Sequence, residues 1–282
     1  MRRITPFSLF VSFLIVLPLA VLWLFPAVLR CLTVGYDDDF VAVQSAGNQV
    51  YISRQTPARQ RQRLLQNDRQ ATDRIRQFWG DKTGRATLIY CHSVEQYALY
   101  CGNGSAESSA GCSLGTPWGS SYIVLGPEGN SADVIAHERC HDELLVRVGW
   151  WRTRQQIPQW FNEGLALMVD YRFTDPHTDR QQRARDFRAE WEYRAYGRQM
   201  ALSLTDLESM RDFFGGDYHH VMLAYYTGAV EVSRWLARVG DAGPRELARR
   251  VGAGEAFGSV YGPVPATLYV PETDSLYQHD TH

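Results

Sequence analysis

The sequence predicts an α+β protein, with a small mixed sheet in its first half, a mostly helical C-terminal half, and a single transmembrane helix ahead of both. Three observations carry this expectation. Residues Phe7 to Leu29 contain no charged side chain. The β-favouring runs Phe40-Val41-Ala42-Val43, Val50-Tyr51-Ile52, Thr87-Leu88-Ile89-Tyr90 and Ser121-Tyr122-Ile123-Val124-Leu125 all lie upstream of Ser131. Downstream of Ser131, apolar residues recur at helical spacing.

The uncharged run is long enough to cross a bilayer. At about 1.5 Å per residue it spans roughly 34 Å as a helix, against a hydrocarbon core of about 30 Å. Arg2 and Arg3 precede it, while Arg30 and then Asp37-Asp38-Asp39 follow. The positive-inside bias therefore places a short stub in the cytoplasm and everything after residue 32 on the extracytoplasmic side, periplasmic or extracellular. A cleaved signal peptide is the rival reading, but its apolar region is usually about 7–15 residues and ends at a small-x-small site. No such site follows here, and Leu29-Arg30 before Cys31 suits a lipoprotein site poorly. The expectation is a signal-anchor in a single-pass membrane protein; neighbouring groups can accommodate Pro18 and Pro26.

The 282 residues, 45% of them hydrophobic, suffice for one sizeable core behind the anchor. A formal net charge of -2 gives no electrostatic footprint for a nucleic-acid partner. The five cysteines contain no CxxC pair, which argues against a cysteine zinc ribbon. In an oxidising compartment two of Cys91, Cys101 and Cys112 can bond, and Cys101 with Cys112, joined by a Gly/Ser-rich loop, is the preferred pair. Free buried thiols are the alternative.

Residues 33–56 read as a linker and a short hairpin turning at Ala46-Gly47-Asn48. The Arg-rich stretch 57–79 reads as a helix with a solvated face. Residues 100–119 read as a loop, Ser121 to Leu125 as a strand, and Gly126 to Asn130 as a turn before a helix capped by Ser131. Pro158 opens a second helix running to about Tyr171, with further helices at 179–197, 203–213 and 218–239. One domain over 57–262 and a tail over 263–282 complete the expected organisation.

The chemistry centres on His137-Glu138-Arg139-Cys140-His141. Residues four apart lie on one helix face, so His137 and His141 present two imidazoles to one metal ion. Glu138 is rotated about 100° from the first ligand and reaches a metal-activated water without competing for the metal. This is the H-E-x-x-H arrangement of zinc proteases, with the glutamate as general base. A catalytic zinc needs a third protein ligand and one open position.

Downstream lie Trp160-Phe161-Asn162-Glu163-Gly164-Leu165-Ala166 and Tyr225-Tyr226-Thr227-Gly228. With these segments the chain resembles the gluzincin metallopeptidases, which follow H-E-x-x-H with a helix bearing W-x-x-E-G-x-A. The resemblance covers residues 120 to 260. It implies a zincin-like metallopeptidase domain, a zinc cofactor, Glu163 as third ligand, and hydrolysis of peptide bonds in a peptide or protein substrate. It also implies Tyr225 as the hydroxyl that stabilises the oxyanion, with Tyr226 as the fallback. The chain lacks a G-A-M-E-N-type segment, which separates it from true aminopeptidases.

In such a fold the strand at 121–125 runs along the cleft edge and pairs with extended substrate, with Trp118 and Tyr122 lining the groove. Asn162 and Asp170 are the candidates for outer hydrogen bonds to the ligands. Asp142 and Glu143 read as solvated, and Cys140 as a packed residue. Two rivals are weighed against this. An intramembrane zinc protease fits poorly, because Glu, Asp and Arg surround the motif. A membrane-anchored scaffold or binding protein that keeps the fold without turnover is the other.

Overall fold

The computed structural model describes residues 25–102, 110–196 and 200–264. The expected anchor over Phe7 to Leu29 lies outside these as far as Leu24, and so does the tail beyond Val264. Among the described residues, no helix is long and apolar enough to cross a membrane. The chain divides into two compact units: residues up to Thr72 with Arg85–Asp142, and Asp73–Gly84 with everything from Glu143 onward.

The first unit holds the sheet. Strands β1 (Phe40–Ser45), β2 (Asn48–Ser53), β3 (Thr87–Tyr90), β4 (Gly111–Gly115) and β5 (Ser121–Leu125) form one mixed sheet in the order β1-β2-β3-β5-β4. β1 and β2 are the expected hairpin, antiparallel, with Val43 opposite Val50. The turn between them places Ala46 and Gly47 at φ of 49° and 78°, the left-handed conformation of a tight hairpin turn. β2 continues into the sheet by pairing parallel to β3, so this hairpin is part of the core and not a linker. Val50, Ile52, Leu88 and Ile123 are fully buried.

Helices α1 (Pro26–Thr33), α2 (Ala58–Trp79), α3 (Val94–Cys101) and α4 (Ala132–Val148) accompany these strands. Cys31 of α1 is buried with Val34, Phe40, Cys91, Tyr97, Tyr100 and Tyr122 in one apolar cluster. The Phe40 and Tyr100 rings meet edge to face at 5.1 Å, and the Tyr100 hydroxyl donates to Asp37 at 2.5 Å. Thus the chain from Cys31 onward packs into the folded domain. The unit boundary falls within α2 and within α4.

The second unit is helical: α5 (Trp150–Gln156), α6 (Gln159–Leu167), α7 (Arg180–Arg194), α8 (Met210–Phe214), α9 (Tyr218–Val239), α10 (Gly243–Gly252) and α11 (Phe257–Tyr261). The helix opened by Pro158 stops at Leu167, four residues short of the expected end. α6 and α9 meet where their glycines coincide. A Cβ on Gly164 would stand 2.5 Å from the Gly228 carbonyl oxygen, and one on Gly228 would stand 2.5 Å from the Trp160 oxygen. Glycine at both positions is therefore a condition of this close crossing. Trp160, Phe161, Trp235, Phe257 and Tyr261 pack beside it as one aromatic cluster, with ring centroids 5.1–6.1 Å apart.

Candidate metal centre

Helix α4 begins where the sequence places it, with the Ser131 hydroxyl accepting from the Val134 amide at 3.1 Å. Val134, Ile135, Leu144 and Val148 are buried, which fixes the rotation of the helix. His137 and His141 then project side by side, their ring centroids 4.9 Å apart at 82°. His137 is buried and His141 half-buried. Glu163, near the middle of α6, is buried as well. The ligand atoms of His137, His141 and Glu163 all lie within 4.8 Å of one another, and these three form the candidate metal group among the described residues. Two imidazoles and a carboxylate are a donor set that could hold a metal ion.

The rest of the pentapeptide is equally committed. Glu138 is buried, and the Ser113 hydroxyl of β4 donates to its Oε2 at 2.6 Å. Arg139 forms a buried ion pair with Asp68 of α2, its Nε donating at 3.0 Å. Cys140 is buried and outside any disulfide, as the packing expectation has it.

Asp142 and Glu143 depart from the expected solvated role, since both are buried acceptors. Asp142 takes the Ser121 hydroxyl at 2.6 Å and the Ala86 amide at 2.9 Å. Glu143 takes the Thr83 and Gly84 amides at 2.9 and 2.8 Å and the Arg147 Nε at 3.0 Å. Backbone amides in the 83–86 segment need acceptors, and sequence spacing alone does not reveal that these carboxylates supply them.

Around Glu163 the sequence reading missed Gln159. It lies one turn earlier on α6, and its Nε2 donates to Glu163 Oε1 at 2.7 Å. The i,i+4 spacing was the available signal. Of the two expected outer residues, Asn162 is half-buried beside Glu163 in sequence. Asp170 is buried, and Arg172 grips its carboxylate through Nε at 2.9 Å and Nη2 at 2.5 Å.

The tyrosines on α9 separate. Tyr225 is half-buried, its ring against Phe173, Phe213 and Phe214 at 5.2–6.1 Å. Tyr226 is buried under the Arg194 guanidinium, 4.9 Å from its ring centroid, and burial pushes its hydroxyl pKa up. That placement packs Tyr226 against its neighbours, 7% exposed.

Two expectations about the groove need correction. β5 is not an edge strand: it pairs with β3 on one side and β4 on the other, so its backbone groups are engaged on both sides. The edge on that side of the sheet, among the described residues, is β4. Tyr122, only 9% exposed, packs in the apolar cluster and does not line a groove. Trp118 is 57% exposed on the β4–β5 connection, free of such packing.

Cys101 and Cys112 are disulfide-bonded, the preferred pairing, while Cys31, Cys91 and Cys140 are buried and outside any disulfide. A scan against protein-family models finds none that matches the chain, and a search of curated proteins likewise finds no match.

Proposed function

We propose that this chain is a membrane-anchored, zinc-dependent peptidase with a zincin-like catalytic domain of the gluzincin kind, its site on the extracytoplasmic side. The observation that carries the reading is the convergence of His137, His141 and Glu163 within 4.8 Å, with Glu138 beside the first ligand in sequence. These side chains would hold the ion. A zinc ion held there would supply an acidified water and a Lewis acid for the scissile carbonyl.

Glu138 accepts the proton from the attacking water and passes it to the leaving amine, the usual work of a general base turned general acid. Gln159 holds Glu163 in orientation through its amide. The Tyr225 hydroxyl donates to the developing oxyanion. An extended peptide adds to the open edge of β4, with Trp118 nearby in sequence to cover an apolar side chain. The uncharged run flanked by Arg2 and Arg3 supports the anchor, and the Cys101–Cys112 disulfide supports an oxidising compartment.

The test is zinc content measured together with cleavage of a mixed peptide library. The expected result is about one zinc per chain, as the three-ligand site requires, with cleavage lost to a chelator and restored by zinc. A chain that binds no zinc sinks the proposal. Zinc without cleavage of any peptide leaves a membrane-anchored scaffold.

A further inference from the structure

The edge strand β4 does more to the candidate site than border it. Side chains alternate along a strand, so Gly111 and Ser113 face one way and Cys112 the other. On the first face lies Glu138. A Cβ on Gly111 would stand 3.2 Å from Glu138 Cγ and 3.1 Å from both Leu125 Cδ2 and Val134 Cγ1. The glycine therefore leaves the channel along which the Glu138 side chain runs. Two residues on, the Ser113 hydroxyl meets Glu138 Oε2 at 2.6 Å and lies 3.2 Å from the Glu138 carbonyl oxygen. On the opposite face, Cys112 is tied to Cys101 at the end of α3. One five-residue strand thus makes room for the carboxylate, grips it, and is itself fastened by a covalent bond.

We propose that Ser113 is the positioning residue for Glu138, and that the Cys101–Cys112 disulfide holds the strand that presents it. This rests on the peptidase reading above. A glutamate carboxylate, carried on three rotatable side-chain bonds, is a poor base until one rotamer is selected. A hydroxyl on one oxygen selects it and leaves the other oxygen for the proton in transit. A hydrogen bond to a charged group is strong enough to impose that choice.

The experiment uses the full chain loaded with zinc. Ser113→Ala is expected to lower kcat about tenfold, the scale of one hydrogen bond to a charged group, with KM and zinc content unchanged. Ser113→Thr, which restores a hydroxyl, is expected to recover most of that loss. The Cys101→Ser/Cys112→Ser pair is expected to lower kcat similarly, and adding Ser113→Ala to it is expected to cost little more. Equal kcat in parent and Ser113→Ala, a change confined to KM, or no recovery with threonine overturns the proposal.

If the zinc-loaded parent cleaves no peptide, the peptidase reading fails, and hydrogen exchange of residues 111–115 decides this one separately. Ser113→Ala and Glu138→Ala are each expected to speed exchange there by a similar factor, with their combination no faster than either. Unchanged exchange in both variants overturns the clamp itself.

Discussion

The sheet-bearing unit and the helical unit fix charged side chains in their interiors by different means. In the first, the partners come from far along the chain. Asp68 holds Arg139 across 71 residues, Ser113 holds Glu138 across 25, and Ala86 and Ser121 hold Asp142 across 56 and 21. In the second, Glu143 reaches 60 residues back to Thr83 and Glu231 takes Tyr261 from 30 residues on, but other partners are local. Gln159 holds Glu163 from four residues away, and Arg172 holds Asp170 from two. Precision there comes from backbone approach, as where Gly164 meets Gly228. The difference teaches where each unit is vulnerable: the sheet unit through lost partners, the helical unit through added volume.

The largest effect expected from this comparison is chemical. Glu138→Gln keeps the shape of the side chain and its place under Ser113 but removes the base. Turnover is expected to fall by about 10²- to 10⁴-fold with zinc content unchanged. A variant as fast as the parent would remove Glu138 from the mechanism. Next comes Asp68→Ala, which strands Arg139 as a buried, uncompensated charge. Denaturant unfolding is expected to show a loss of about 3–5 kcal/mol. Pairing it with Arg139→Met is expected to recover a large part, because the cost lies in the orphaned charge and not in the missing attraction. A double variant as unstable as Asp68→Ala alone would contradict that account.

The helical unit is expected to give way to a single methyl group. Gly164→Ala places a carbon 2.5 Å from the Gly228 oxygen, backbone that no rotamer change relieves. The expected cost is about 1–3 kcal/mol in denaturant unfolding. Gly149→Ala has open space around its Cβ, and its cost reports only the strain of a φ of 89°. A loss at Gly164 no larger than that at Gly149 would mean that the two helices slide apart easily and that the glycines are incidental.

The same contrast explains what was legible in the sequence. The helix from Tyr218 to Val239 lies within a residue of its expected bounds, because a 22-residue amphipathic pattern leaves little choice of period. The hairpin, the four strand runs and the Ser131 cap are legible for the same local reason. His137, His141 and Glu163 were legible because helical spacing and a surrounding Trp-x-x-Glu-Gly pattern mark them. The short strand Gly111–Gly115 was not: Gly-Cys-Ser-Leu-Gly carries no β signal, and it becomes a strand only by pairing with β5. Because nothing in the sequence signals β4, the sequence points to β5 as the cleft edge and to Tyr122 as a groove residue, and nothing in it marks Ser113. Asp142 and Glu143 looked solvated because their partners, backbone amides at Thr83, Gly84 and Ala86, have no side-chain signature.

The smallest expected effect lies in the helical unit and bears on whether its interior tolerates charge as the sheet unit does. Glu231 on α9 is buried, accepts the Tyr261 hydroxyl at 2.9 Å, and has Arg234 and Arg238 no closer than 3.8 Å. Burial raises its pKa above the ordinary value of 4.5, with the tyrosine and the two arginines opposing that shift only in part. A carboxyl whose folded pKa is raised favours the folded state in its protonated form. Its contribution is therefore fully present below pH 4.5 and is lost as pH rises through the folded value. Glu231→Gln cannot ionise and keeps a hydrogen-bond acceptor for Tyr261. Its stability relative to the parent is expected to rise between pH 4.5 and 7 and to stay flat below. Urea unfolding of both proteins across that range measures the difference directly. A parent that gains on the variant as pH rises would mean that Arg234 and Arg238 outweigh burial, and that this unit too holds its charges by pairing.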